Sequence, residues 1–334
     1  MIHGDDRRIL LERWLAAEFR GARFTLTPAS EDASFRRYFR ATLEDGRSFV
    51  AMDAPPDKED CRPFVHIARL LQDAGVHAPE VHAQDLGAGF LLLSDLGTRT
   101  YLGELNAANA AALMGDATDA LIRWQLATRT GELPPYDEPL LRRELNLFPE
   151  WYVARHRRMT LNAGQAQALE AIFALLVKSA LAQPAVYVHR DYMPRNLMVC
   201  DPNPGVLDFQ DAVMGPMTYD VVSLLRDAFI SWDEERVLDW SARYWEKAKR
   251  ADLPVAGDFG EFWRALEWMG LQRHLKVLGI FSRLKHRDGK PAYSADLPRF
   301  FGYAHKVATR YEALRPLARL LEPLMGTATL EAFH

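Results

Sequence analysis

The sequence predicts an α+β fold of two lobes, a small N-terminal antiparallel β lobe carrying a helix and a larger, mainly helical C-terminal lobe. Three observations predict it. Short runs of alternating polarity dominate the chain before residue 97. Apolar spacings of three and four dominate after it. Between the two patterns stands a turn, Ser94-Asp95-Leu96-Gly97. The boundary therefore falls at 96/97, giving lobes of 1–96 and 97–334.

The elements follow in order. Residues 7–20 carry Leu10, Leu11, Trp14, Leu15 and Phe19 on one side of a helix. Phe24 to Thr27, Arg37 to Leu43 and Ser48 to Met52 alternate as strands of an antiparallel meander, with Asp45-Gly46 as a turn. Pro55-Pro56 ends the meander. Residues 58–75 read as a helix facing inward through Phe64, Ile67, Ala68 and Leu71, with Gly75 at its end and Pro63 near its true start. Glu80-Val81 and Phe90 to Leu93 are further extended runs. Beyond the boundary, 107–128 and 163–182 have helical spacing, and helical patterns resume from Tyr219. Tyr187-Val188 and Val206-Leu207 read as the two strands of a small hairpin flanking a loop.

Bulk properties narrow the function. The 334 residues are 49 % apolar and 26 % charged, which is ordinary globular composition. A net charge of −4 argues against broad binding to nucleic acid or to anionic membrane. Two distant cysteines, Cys61 and Cys200, offer neither a disulfide framework nor a zinc spacing. The N-terminus is charged almost at once, unlike a signal peptide, and no apolar run is long enough for a bilayer. A reducing cytoplasm is the expected location. The sequence names no protein partner.

The loop between Tyr187-Val188 and Val206-Leu207 carries the chemistry. It reads His189-Arg190-Asp191-Tyr192-Met193-Pro194-Arg195-Asn196, followed by Leu207-Asp208-Phe209. Phosphoryl transfer needs a positioned hydroxyl, neutralised phosphate charge and excluded water. Asp191 is the candidate base for an acceptor hydroxyl. Asn196 and Asp208 are candidate Mg²⁺ ligands, because hard cations take amide and carboxylate oxygens. Asp211 is a weaker candidate carboxylate. His189 and Asp220 are expected to brace the loop. The spacing resembles the H-R-D-x-x-x-x-N and D-F-G runs of protein kinases, which implies a protein-kinase-like fold and ATP as phosphoryl donor.

The nucleotide end is less sharply written. No G-x-G-x-x-G is present. Ser30 to Arg37 lies between the first two strands, and Ser34, Arg36 and Arg37 are candidate phosphate contacts through backbone N–H groups and guanidinium charge. A polar loop with a solvated basic edge is the plain alternative. Protein kinases place a Lys at the end of V-A-I-K. The corresponding run here is Val50-Ala51-Met52-Asp53, so Asp53 stands in the place of that Lys and Arg36, Arg37 or Arg40 is left to supply the charge. Ser94, Asp95 and Leu96 are the candidate hinge against the adenine.

At these residues the chain resembles the aminoglycoside phosphotransferase-like kinase family, from about the Ser30–Arg40 loop to the C-terminal helices and most specifically over Val188 to Asp211. More narrowly, Ser34 to Arg40, Met52-Asp53-Ala54-Pro55-Pro56, His189 to Met198, Leu207 to Gly215 and Tyr219 to Phe229 resemble the amino-sugar anomeric kinases of bacterial cell-wall (peptidoglycan) recycling. That resemblance implies ATP- and Mg²⁺-dependent phosphorylation of the C1 hydroxyl of an N-acetylated amino sugar, N-acetylmuramate or N-acetylglucosamine, with Asp191 as base and Asn196 and Asp208 on the metal. It also implies that the missing Lys need not mean missing activity.

Sugar contacts are sought in two places. Glu144 and Trp151, in the Arg-rich segment Leu140 to Arg155, are candidates to hydrogen-bond and stack on a sugar. Their alternative is a helix edge packed on the lobe. Arg273 and His274, with Lys276, are candidates to meet a lactyl carboxylate, or else form a solvated basic face. Two other functions stay open. An aminoglycoside or other small alcohol is one acceptor, although a polycation calls for an acidic wall. A nucleotide-binding module without catalysis, prompted by Asp53, is the other.

Overall fold

The computed structural model describes residues 4–31, 35–227 and 229–325. The chain forms two compact units: residues 1–127 with 195–211, and residues 128–194 with 212–334. Among the described residues, no helix is long and apolar enough to cross a membrane.

The first unit is built on a five-stranded antiparallel sheet. Helix α1 (Gly4–Glu18) precedes strands β1 (Phe24–Glu31), β2 (Arg37–Leu43) and β3 (Ser48–Asp53). Helix α2 (Arg62–Asp73) separates these from β4 (Val81–Asp85) and β5 (Phe90–Ser94), and the strand order is β1-β2-β3-β5-β4. Alternation along β2 sends Phe39, Ala41 and Leu43 inward. Phe39 and Ala41 join Leu11 and Leu15 of α1 with Ala51, Phe90 and Leu92 in one apolar cluster, which Trp14, Phe19, Phe24 and Phe49 extend. Leu10 does not share that face; it is exposed. Helix α2 starts later than its sequence pattern suggests, with Pro63 in its first turn where a missing N–H costs nothing. It buries Phe64, Ile67, Ala68 and Leu71. Helices α3 (Tyr101–Glu104) and α4 (Ala110–Leu126) complete this stretch.

The chain then enters the second unit through α5 (Glu138–Leu145), a π-helical segment (Phe148–His156), α6 (Ala163–Leu181) and strand β6 (Ala185–Val188). It returns to the first unit for the hairpin of β7 (Leu197–Met198) and β8 (Gly205–Val206). Strand β9 (Val213–Pro216) and helices α7 (Tyr219–Leu225), α8 (Glu234–Arg250), α9 (Phe259–His286), α10 (Leu297–Arg310) and α11 (Arg315–Leu321) finish the second unit. The expected hairpin of Tyr187-Val188 with Val206-Leu207 is corrected by these pairings. β6 pairs with β9, while β8 pairs with β7. Two-residue strands carry too little pattern to specify a partner, so tertiary packing chooses it.

Candidate active site

In the first unit, the β7–β8 register sets Leu197 opposite Val206 and Met198 opposite Gly205. Leu207 N–H donates to Asn196 C=O at 2.9 Å, which carries the pairing one step further. Asn196 and Asp208 therefore emerge side by side, their side chains 3.4 Å apart. Asp208 adopts φ +61°, a left-handed conformation uncommon for a residue with a side chain and one that concentrates at functional sites. Gln210 Nε2 donates to Asp208 Oδ1 at 2.9 Å, and the Arg36 guanidinium lies 3.7 Å from the same oxygen. Behind the carboxylate, Phe209 is fully buried with its ring 4.7 Å from that of Phe64 on α2. In the Asn196–Asp208 contact, Asn196 Nδ2 donates to Asp208 Oδ2, and the Asn196 amide oxygen with the Asp208 carboxylate would be the oxygen ligands for Mg²⁺.

Asn196 and Asp208 both line a cavity of about 310 Å³. Val50 and Leu93 of the sheet line it with Met198, Leu207 and Phe209, and Ser94, Asp95 and Leu96 border it. A lining that mixes these apolar side chains with polar and charged groups suits a flat ligand with a charged tail. The turn beside it is fixed by Arg40. Its Nε and Nη2 donate to the Asp95 carboxylate at 2.6 and 3.0 Å, and Nη2 also donates to Gly97 C=O at 2.9 Å. Burial pushes the Asp95 carboxyl up. The hydrogen bonds from Arg40 and from Gly97 N–H outweigh it and hold the group below its ordinary value. Ser94 Oγ accepts from Glu80 N–H at 2.9 Å.

Asp53, where a Lys was sought, is wholly buried. Arg7 Nε of α1 and Arg37 Nε of β2 donate to its two carboxylate oxygens at 2.8 and 2.9 Å, and each Nη2 adds a second bond. Arg37 is thus drawn to Asp53 and Arg40 to Asp95. Ser34 lies outside the described residues.

In the second unit, β6 leads into the His189-Arg190-Asp191 loop. Asp220, in the first turn of α7, accepts N–H bonds from His189 at 2.6 Å and Arg190 at 3.0 Å. His189 Nδ1 accepts from Asp191 N–H at 3.2 Å. Both residues brace the loop backbone. Arg190 sits at φ +76° and reaches Glu144 Oε1 at 2.7 Å.

These motifs have relatives. The pattern of the phosphotransferase enzyme family matches residues 25–259. The chain belongs to that family. An N-acetylmuramate/N-acetylglucosamine kinase of Pseudomonas putida is 56 % identical over 304 residues, covering 91 % of this chain and 89 % of that protein. The protein of the same description from Neisseria meningitidis is 50 % identical over 330 residues, 98 % of each chain. The ADP-bound aminoglycoside phosphotransferase APH(2'')-Ib shares the fold, with a TM-score of 0.60 at 15 % identity over 87 % of this chain and 96 % of that one. The two-lobe kinase-like fold expected from the motifs is the fold of this phosphotransferase.

The remaining sugar candidates fall as follows. Glu144 is buried on α5 and gathers four donors: Tyr136 O–H, Arg190, Lys276 Nζ at 2.9 Å and Gln272 Nε2 at 3.3 Å. Lys276 also donates to Tyr219 O–H at 3.0 Å. Burial alone would push the Glu144 carboxyl up. Lys276 and Arg190 overcome it and hold the group at about 2. Trp151 is half-buried on the π-helical segment. Arg273, His274 and Lys276 are 3 %, 0 % and 9 % exposed, which corrects the reading of a solvated basic face. Helix α9 is buried along this stretch, so these groups belong to the interior. Sequence reasoning missed the Glu144 network and the Asp53 and Asp95 pairs of this phosphotransferase. Most of their partners lie 46 or more residues away, as Arg7 does from Asp53 and Arg190 from Glu144, and no local pattern connects them.

Proposed function

We propose that this phosphotransferase is an ATP-dependent kinase that phosphorylates the anomeric C1 hydroxyl of N-acetylmuramate and N-acetylglucosamine. The chemistry is carried by one observation, the meeting of Asn196 and Asp208 in the lining of a cavity that Val50, Leu93 and Phe209 also line. The acceptor class is supported by relatives of that description at 50 % identity and above over nearly the whole chain.

The adenine occupies this cavity against the Ser94–Leu96 turn, beside Val50 and Leu93. Asn196 and Asp208 would hold Mg²⁺, whose chemistry when bound is to neutralise charge on the transferred phosphate. Asp191 orients the C1 hydroxyl and takes its proton as O1 bonds to the γ-phosphorus. The bond from that phosphorus to the β–γ bridging oxygen breaks, and ADP leaves. An anomeric hydroxyl is more acidic than a simple alcohol, so a carboxylate base suits it. Nucleotide recognition draws on both sides of the 96/97 lobe boundary, on the Ser94–Leu96 turn before it and on Asn196 and Asp208 after it.

The test is ADP release across a panel of amino sugars. Turnover is expected with N-acetylmuramate or N-acetylglucosamine, and D191A should lower it by about 10²- to 10⁴-fold. Turnover with a different acceptor and none with these two would reject the substrate assignment.

A further inference from the structure

We propose that Arg36 supplies the phosphate-binding charge that the Asp at the end of β3 does not, taking the part a strand-three lysine plays in protein kinases. The inference rests on the nucleotide site proposed above. Three arginines of the nucleotide unit are committed to buried or half-buried carboxylates. Arg7 and Arg37 close on Asp53, and Arg40 closes on Asp95. Each of these pairs ties one part of the unit to another: α1 and β2 to β3, and β2 to the turn after β5.

Arg36 differs in where its head lies. Its guanidinium stands 3.7 Å from Asp208 Oδ1 with the side chain 12 % exposed, so the charge is already at the carboxylate assigned to the metal and triphosphate. That separation is an ion pair rather than a close hydrogen bond. A planar fork so placed can turn one edge to a phosphate oxygen without leaving its position. The Asp53 cluster then reads as a structural exchange. With the charge supplied from the β1–β2 side, the end of β3 is released to anchor α1.

Isothermal titration calorimetry of the full chain with ATP, ADP and adenosine, in Mg²⁺ buffer, tests this. Wild type should bind ATP more tightly than adenosine. R36A should weaken ATP and ADP by about 10- to 100-fold, the range for a lost charge-assisted hydrogen bond, and leave adenosine within about twofold. R36K, which keeps the charge and loses the fork, should fall between. R36Q carries the same expectation if R36A fails to fold. An unchanged ATP-to-adenosine ratio in R36A and R36Q would overturn the role of Arg36 and leave the nucleotide site standing. Wild type that binds neither ATP nor adenosine would remove the site and the inference together.

Discussion

At the scale of single residues, some groups are assigned to the reaction and others to holding the fold. Asp191 is assigned to the proton. D191N should therefore retain ATP affinity by calorimetry while kcat for sugar phosphorylation drops by about 10²-fold or more. A parallel loss of ATP affinity would mean that the residue holds nucleotide instead. Asp53 is assigned to structure, with two guanidiniums on a wholly buried carboxylate. Removing one partner of a buried ion cluster typically costs about 3–5 kcal/mol. D53N should show that loss as a lower denaturant midpoint, and a midpoint equal to wild type would refute the assignment. The residues assigned to the reaction could be picked from the sequence because their spacing is local: one loop and one hairpin carry Asp191, Asn196 and Asp208. The role of Asp53 was not legible. It stands in a strand beside apolar neighbours, and Arg7 is 46 residues away.

At the scale of elements, the Glu144 network joins α5, the loop after β6 and α9. Its carboxyl lies at about 2 in the folded chain against an ordinary 4.5. The folded value is depressed, so its stabilising contribution is fully present above 4.5 and is lost as pH falls toward 2. E144Q leaves Arg190 and Lys276 facing a neutral amide and should be less stable at neutral pH by about 3–5 kcal/mol. The gap to wild type should narrow across that acid window in denaturant titrations. A gap independent of pH would show that Glu144 charge is not what the network uses. Packing supplies a second test. A Cβ at Gly279 of α9 would overlap the Leu147 backbone just before the π-helical segment. G279A should cost about 1–3 kcal/mol of stability, read by thermal melting. Elements of ten residues or more were legible because amphipathic period repeats within them, as in α4 and α6. The short strands around the loop were not. β6, β7, β8 and β9 have two to four residues each, and their partners are fixed by three-dimensional packing that no local alternation encodes.

At the scale of the whole molecule, the proposed function asks one chain to bind a nucleotide, recognise a sugar and move a phosphoryl group to one oxygen. Nucleotide binding is linked to stability. ATP with Mg²⁺ at about 100 times its Kd should add about 2.7 kcal/mol and raise Tm, and D208A should lose most of that gain. The fold class was legible from the change of period near residue 96, and the reaction class from the loop. The acceptor was legible only through resemblance, since the polar groups that select a sugar are scattered in sequence. The central claim is that phosphate is transferred to the anomeric oxygen of an N-acetylated amino sugar. Phosphorus–proton correlation NMR of the product formed from ATP and N-acetylglucosamine tests it most directly. Transfer to the anomeric oxygen gives a phosphorus signal coupled to the proton on C1; coupling to a proton at any other ring or side-chain carbon would rule that transfer out.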